Sequence, residues 1–196
     1  MAKKWFTADK HHNHTNIIQY ENRPFKSVET MDKRLILEHN KLVKEEDICY
    51  DLGDFCFSSG ITISNLKPEI YLNQYNGRYV IIKGNHDGRN RVLDCITRAD
   101  MYLSKLKILC VHDPIYATDK YDLVLHGHLH GNLFMSELIR KHKKTLLINV
   151  GVDCWKYKPV EWEKLFILYQ QWKANKFHVQ EFKKDQIEEK RQSRRI

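Results

Sequence analysis

The chain has 196 residues, 42% of them hydrophobic and 30% charged, and a formal net charge of +8. A single domain of this length buries roughly 70% of its unfolded surface, so a core forms without disulfides, and the composition excludes collagen, coiled coil and wholesale disorder. The positive charge favours encounter with polyanions such as nucleic acid or nucleotides, but much of it lies near the C-terminus, where simple solvation is the commoner meaning.

In chain order, six short runs rich in Ile, Val, Leu and Tyr read as buried strands: residues 4–8, 47–52, 78–83, 107–111, 123–125 and 145–150. Helical patterns fall between them. Ser27 is placed to cap a helix carrying Val28, Met31, Leu35, Ile36 and Leu42. Pro68 suits the first turn of a short helix reaching Gln74. A later helix sets Trp162, Leu165, Phe166, Tyr169 and Trp172 on one face as core. Alternating strands and helices imply an α/β fold, in which ligands gather beyond the C-terminal ends of strands. The expected organisation is a domain over residues 1–172, followed by a charged tail or helix over 173–196.

Cys49, Cys56, Cys95, Cys110 and Cys154 are odd in number and form no CxxC pair, which argues against a zinc ribbon or a redox motif. Most sit beside apolar runs as small hydrophobes, so a reducing, cytoplasmic setting is expected. Residues 1–10 lack the apolar stretch of a signal peptide, and no segment reaches the roughly 18 apolar residues of a membrane span.

Five of the strands run directly into polar clusters: Asp9-Lys10-His11-His12-Asn13-His14, Gly53-Asp54-Phe55, Gly84-Asn85-His86-Asp87-Gly88, His112-Asp113-Pro114 and His126-Gly127-His128-Leu129-His130. Eight of the eleven histidines lie there. Carboxylate, imidazole and amide oxygen without thiolate suit manganese, iron, zinc, nickel or cobalt. Asp9 and His11 are two apart, as are His126 and His128, and in extended chain that spacing puts both side chains on one face. Asp9, His11, Asp54, Asn85, His112, His126 and His128 are too many for one tetrahedral zinc but suit two ions sharing a carboxylate. Two divalent ions, two carboxylates and one hydroxide leave roughly +1, which favours phosphoryl oxygens.

These motifs resemble the calcineurin-like metallophosphoesterase superfamily. His14-Thr-Asn-Ile-Ile, Arg23-Pro-Phe, Asn149-Val-Gly-Val-Asp and Tyr157-Lys-Pro-Val are similar to a small single-domain subgroup found in bacteria and phages. The resemblance implies a two-sheet β-sandwich flanked by helices. It implies one metal held by Asp9, His11 and His128, the other by Asn85, His112 and His126, with Asp54 bridging. It further implies His86 as the catalytic group that stabilises the transition state or protonates the leaving oxygen, and Asp87 as its orienting partner. A metal-bridging hydroxide would hydrolyse a phosphodiester or phosphomonoester, with manganese first among the divalent cofactors. Two other functions are open: a non-catalytic metal-containing scaffold, and a basic nucleic-acid-binding protein using the tail.

The neighbours carry weaker expectations. His12 should reach the surface, and His14 should support the metal ligands. His130 has the parity to face the site, but the ligand count is full without it. Lys10, Arg23, Arg89 and Arg91 are candidate phosphate contacts or solvated charges, and Asp113 would add negative charge near the second ion.

Overall fold

A computed structural model describes residues 1–57, 68–87 and 93–184. Arg89, Arg91 and the tail from residue 185 onward therefore lie outside the described residues. The architecture is the expected α/β sandwich of two mixed sheets flanked by helices.

The chain runs through β1 (Lys4–Thr7), α1 (Ile17–Tyr20), α2 (Val28–Asn40), β2 (Ile48–Asp51), α3 (Pro68–Leu72), β3 (Arg78–Ile82) and β4 (Cys95–Ile96). It continues through β5 (Ala99–Leu103), β6 (Leu106–Cys110), β7 (Leu123–His126), β8 (Met135–Arg140) and β9 (Lys143–Asn149), then β10 (Val160–Glu161), α4 (Trp162–Lys173) and β11 (Gln180–Glu181). The first sheet has the order β10-β1-β2-β3-β4, with only β10 antiparallel to its neighbour. The second has the order β11-β8-β9-β7-β6-β5, with β6, β7 and β9 parallel at its centre.

Strand alternation explains the layers. Phe6, Leu52 and Ile82 from the first sheet meet Ile108, Leu123, Leu125, Leu146 and Ile148 from the second in one buried cluster. The intervening residues Leu109, Val124 and Leu147 face the other way, into a second cluster closed by Tyr121 and Phe182. With both faces covered, the central strands read as continuous apolar runs. Each fully buried Leu, Ile or Phe contributes about 1.5–3 kcal/mol.

Ser27 caps α2 as its position predicts: its hydroxyl accepts the Thr30 N–H at 3.4 Å, and Thr30 Oγ1 accepts the Ser27 N–H at 3.1 Å. In α4, Trp162, Leu165, Tyr169 and Trp172 are buried, and Phe166 packs against the same core. The packed chain continues beyond Trp172, because Phe182 is 4% exposed and β11 pairs with β8. Among the described residues, no helix is long and apolar enough to cross a membrane.

Candidate metal centre

The turns after the strands are tied to one another by backbone. Asp9 N–H donates to the Gly53 carbonyl at 2.9 Å and His11 N–H to the Asp54 carbonyl at 2.8 Å. Asp87 accepts the N–H groups of Asp54 (2.8 Å), Phe55 (3.1 Å) and Gly84 (2.9 Å), while His86 N–H donates to Asp54 Oδ1 at 2.8 Å. Gly53 has φ +100°, and a Cβ there would fall 2.6 Å from Gly84 N, so two turns meet where only glycine fits. Gly127 serves the same end at β7, where a Cβ would meet Asp9 Oδ2 at 2.8 Å.

Five side chains of the site spring from left-handed backbone: Asp9 (φ 58°), His11 (54°), Asp54 (55°), His128 (69°) and His130 (47°). Asp and His tolerate this region better than most residues, and such strain collects where surrounding structure over-determines it. Here the cross-turn hydrogen bonds do so, together with His128 N–H donating to the Asp9 carboxylate at 3.0 Å.

Three groups of donors result, each with its atoms within 4.8 Å of one another: Asp9, His11 and His130; His11, Asp54 and His86; Asp54, His112 and His128. Asn85 Oδ1 lies 2.9 Å from both His112 Nε2 and His128 Nδ1. His112 Nε2 is 3.3 Å from Asp54 Oδ2, and His86 Nε2 is 4.0 Å from it. Among the described residues, His126 belongs to none of these groups. It closes β7 with its Nδ1–H bonded to the Gly127 carbonyl at 2.8 Å. The turn away from extended chain at His128 breaks the period of two that pairs His126 with His128, and His130 comes in beside Asp9 and His11 instead.

Several neighbours take roles other than those their sequence positions suggest. His12 points away from His11 but inward: it is fully buried, its Nδ1–H donating to Asp32 at 2.9 Å and its Nε2 accepting from the Tyr75 hydroxyl at 2.7 Å. Lys10 is neither a phosphate contact nor solvated, for it is 2% exposed and paired with Asp51 among the rings of Phe55, Tyr75 and Tyr79. Asp87 holds backbone N–H groups of two turns rather than His86. Asp113 accepts the Ile115 N–H at 3.0 Å and caps a single helical turn. Arg23 is buried against Asp153 instead of facing the site. His14 supports His11, with the two Nδ1 atoms 3.2 Å apart, and stacks on Phe57.

Burial holds His11 well below its usual range and lowers His128 to about 4, keeping both imidazoles neutral, as metal ligation requires. Burial would also raise Asp54 and lower His112, but their hydrogen bond and charge pairing prevail: Asp54 is held down, and His112 is pushed up to about 9. Among the described residues, His11 Nε2 is buried without a hydrogen-bond partner, 3.5 Å from Asp54 Oδ2. An orphaned imidazole nitrogen facing a carboxylate is the chemistry a divalent ion would satisfy, so the residues fit metal.

A groove of about 750 Å³ opens from Asn85, His112 and His128, walled further by Lys83, Arg98, Val111 and Tyr116.

No family model matches the chain. The uncharacterized protein MJ1445 of Methanocaldococcus jannaschii is 35% identical over 176 residues, which is 89% of this chain and 95% of that protein. The crystal structure of AQ665 from Aquifex aeolicus, a protein of unknown function, is 24% identical with a TM-score of 0.66, covering 86% of this chain and 100% of the other. YfcE, a phosphoesterase from E. coli, aligns over 75% of this chain and 78% of its own at 14% identity and a TM-score of 0.45.

Proposed function

We propose, from the premise that this chain belongs to one family with the Methanocaldococcus protein, that it is a calcineurin-like metallophosphoesterase and hydrolyses a phosphate ester at a pair of divalent ions. The observation that carries the reading is the sharing of Asp54. Its carboxylate joins His11 on one side and His112 with His128 on the other, as a bridging ligand must.

In this reading Asp9, His11 and His130 hold one ion and Asn85, His112 and His128 the other, with Asp54 common to both. Manganese, iron, zinc, nickel and cobalt are all compatible with this donor set. Bound divalent ions supply positive charge against phosphoryl oxygens and a water acid enough to lose its proton near neutral pH.

The chain's own residues supply the rest. His86 is 37% exposed beside Asp54 Oδ2, at the open side of the cluster, and is placed to give a proton to the leaving oxygen. Such a general acid is worth about 10²–10⁴-fold. The groove beyond His112 offers cations at Lys83 and Arg98 and an exposed ring at Tyr116, so a nucleotide-like ester suits it.

The test is release of nitrophenol from bis- and mono-nitrophenyl phosphate with added Mn²⁺, before and after chelation. Asp54→Ala should abolish metal binding and turnover together. Wild-type turnover in that variant would remove the bridge. Absence of turnover with every one of the five metals would leave a metal-containing binding module instead.

A further inference from the structure

We infer that Arg23 and Asp153 are positioning residues that build one ion site of the pair, the one served by Asp9, His11 and His130, while leaving the other to its own supports. The inference rests on the two-ion reading above.

The geometry converges on a single guanidinium. Arg23 is 4% exposed, and its Nε and Nη2 grip Asp153 Oδ1 and Oδ2, each at 2.8 Å. The same group donates to the backbone, Nη2 to the Asp9 carbonyl at 2.7 Å and Nη1 to the Lys10 carbonyl at 3.0 Å, while Nη1 also reaches Met31 Sδ at 3.3 Å. Asp153 Oδ2 in turn accepts His130 Nδ1–H at 2.9 Å. That bond fixes the tautomer and leaves Nε2 as the nitrogen with a lone pair to offer. One side chain therefore sets the backbone between Asp9 and His11 and, through a carboxylate, the ring of His130.

Five donors in a flat fork suit this task, and a lysine ammonium would not reproduce them. A buried ion pair is a poor device for stability alone, because desolvation offsets much of its attraction. Its aim at two ligands of one group is what a supporting shell requires. The other group is supported elsewhere: His112 Nδ1–H donates to the Leu52 carbonyl at 2.8 Å. The pairing also gives the Arg23-Pro-Phe and Asn149-Val-Gly-Val-Asp segments a common purpose.

The experiment uses the full chain and two variants, the near-isosteric Asp153→Asn and the charge-preserving Arg23→Lys. Metal content is measured by mass spectrometry and Mn²⁺ affinity by calorimetry, with circular dichroism and cooperative unfolding as checks on the fold. Wild type should hold two ions. Each variant should keep one with unchanged affinity and bind the other about 10–100-fold more weakly. Two ions at wild-type affinities in Asp153→Asn would overturn the inference, as would loss of both ions from a folded variant. Unfolding of Asp153→Asn, the milder change, would also overturn it by making the pair merely structural. Wild type without any ion would instead remove the two-ion reading on which the inference stands.

Discussion

Gly53→Ala is the sharpest single test of how the centre is assembled. At φ +100° the backbone of Gly53 lies where L side chains rarely go, and holding alanine there costs about 1–3 kcal/mol. The added Cβ would also lie 2.6 Å from Gly84 N, 2.7 Å from Gly84 Cα and 2.8 Å from His112 Nδ1. The first two neighbours are backbone and cannot rotate away, so the turns must part by about 0.8 Å to reach ordinary contact. Overpacking of this kind adds about 1–3 kcal/mol. The combined loss of about 2–6 kcal/mol is a large share of the stability of a typical domain. Because the turns that part carry Asp54, Asn85 and His112, a shift of about 1 Å should cost about 10²-fold in turnover. Urea unfolding at constant slope measures the first effect. Mn²⁺ titration with nitrophenyl ester hydrolysis measures the second. An unchanged midpoint together with unchanged metal affinity and turnover would refute the reasoning.

His39 gives a pH test away from the centre. Burial, with Lys10 nearby, lowers it to about 3 while its Nε2–H donates to the Asn76 carbonyl at 2.9 Å, so it is neutral in the fold and charges on unfolding. Its unfolded value is about 6.5, so the stability it lends is present above that pH and lost on acidification. The loss is about 2 kcal/mol between pH 6.5 and pH 5. His39→Phe should flatten the unfolding midpoint over that window, and an equal slope in both proteins would count against it. His130→Ala and His126→Ala should differ in kind: the first should lose an ion and lower turnover by more than the about 10–100-fold typical of an outer partner. The second should lower stability and keep both ions, and metal analysis of the pair would expose the opposite result.

The runs of β6, β7 and β9 were legible because central strands covered on both faces leave a nearly unbroken apolar text. β5 and β8 were not: half-buried and exposed positions alternate through Ala99–Leu103, charges interrupt both strands, and no run survives to be seen. The donor clusters were legible for the same reason as the strands they follow. The grouping of His130 with Asp9 and His11 was not, because it depends on left-handed residues that end the extended spacing. One signal did lie in the sequence, since Leu123 and Leu125 face the inter-sheet core and continued alternation sends His126 with Val124 to the opposite side. The burial of Lys10 and the grip of Arg23 on Asp153 had no local sign at all, for their partners are 41 and 130 residues away.

That separation bears on how the protein is made. Asp9 must wait for His128, 119 residues later, and Arg23 for Asp153. At about 5–20 residues per second, translation exposes the early half of the centre for several seconds before the late half exists. Contacts of such long range also close slowly. A chain cut short anywhere before Asp153 therefore lacks the partner of both Arg23 and His130.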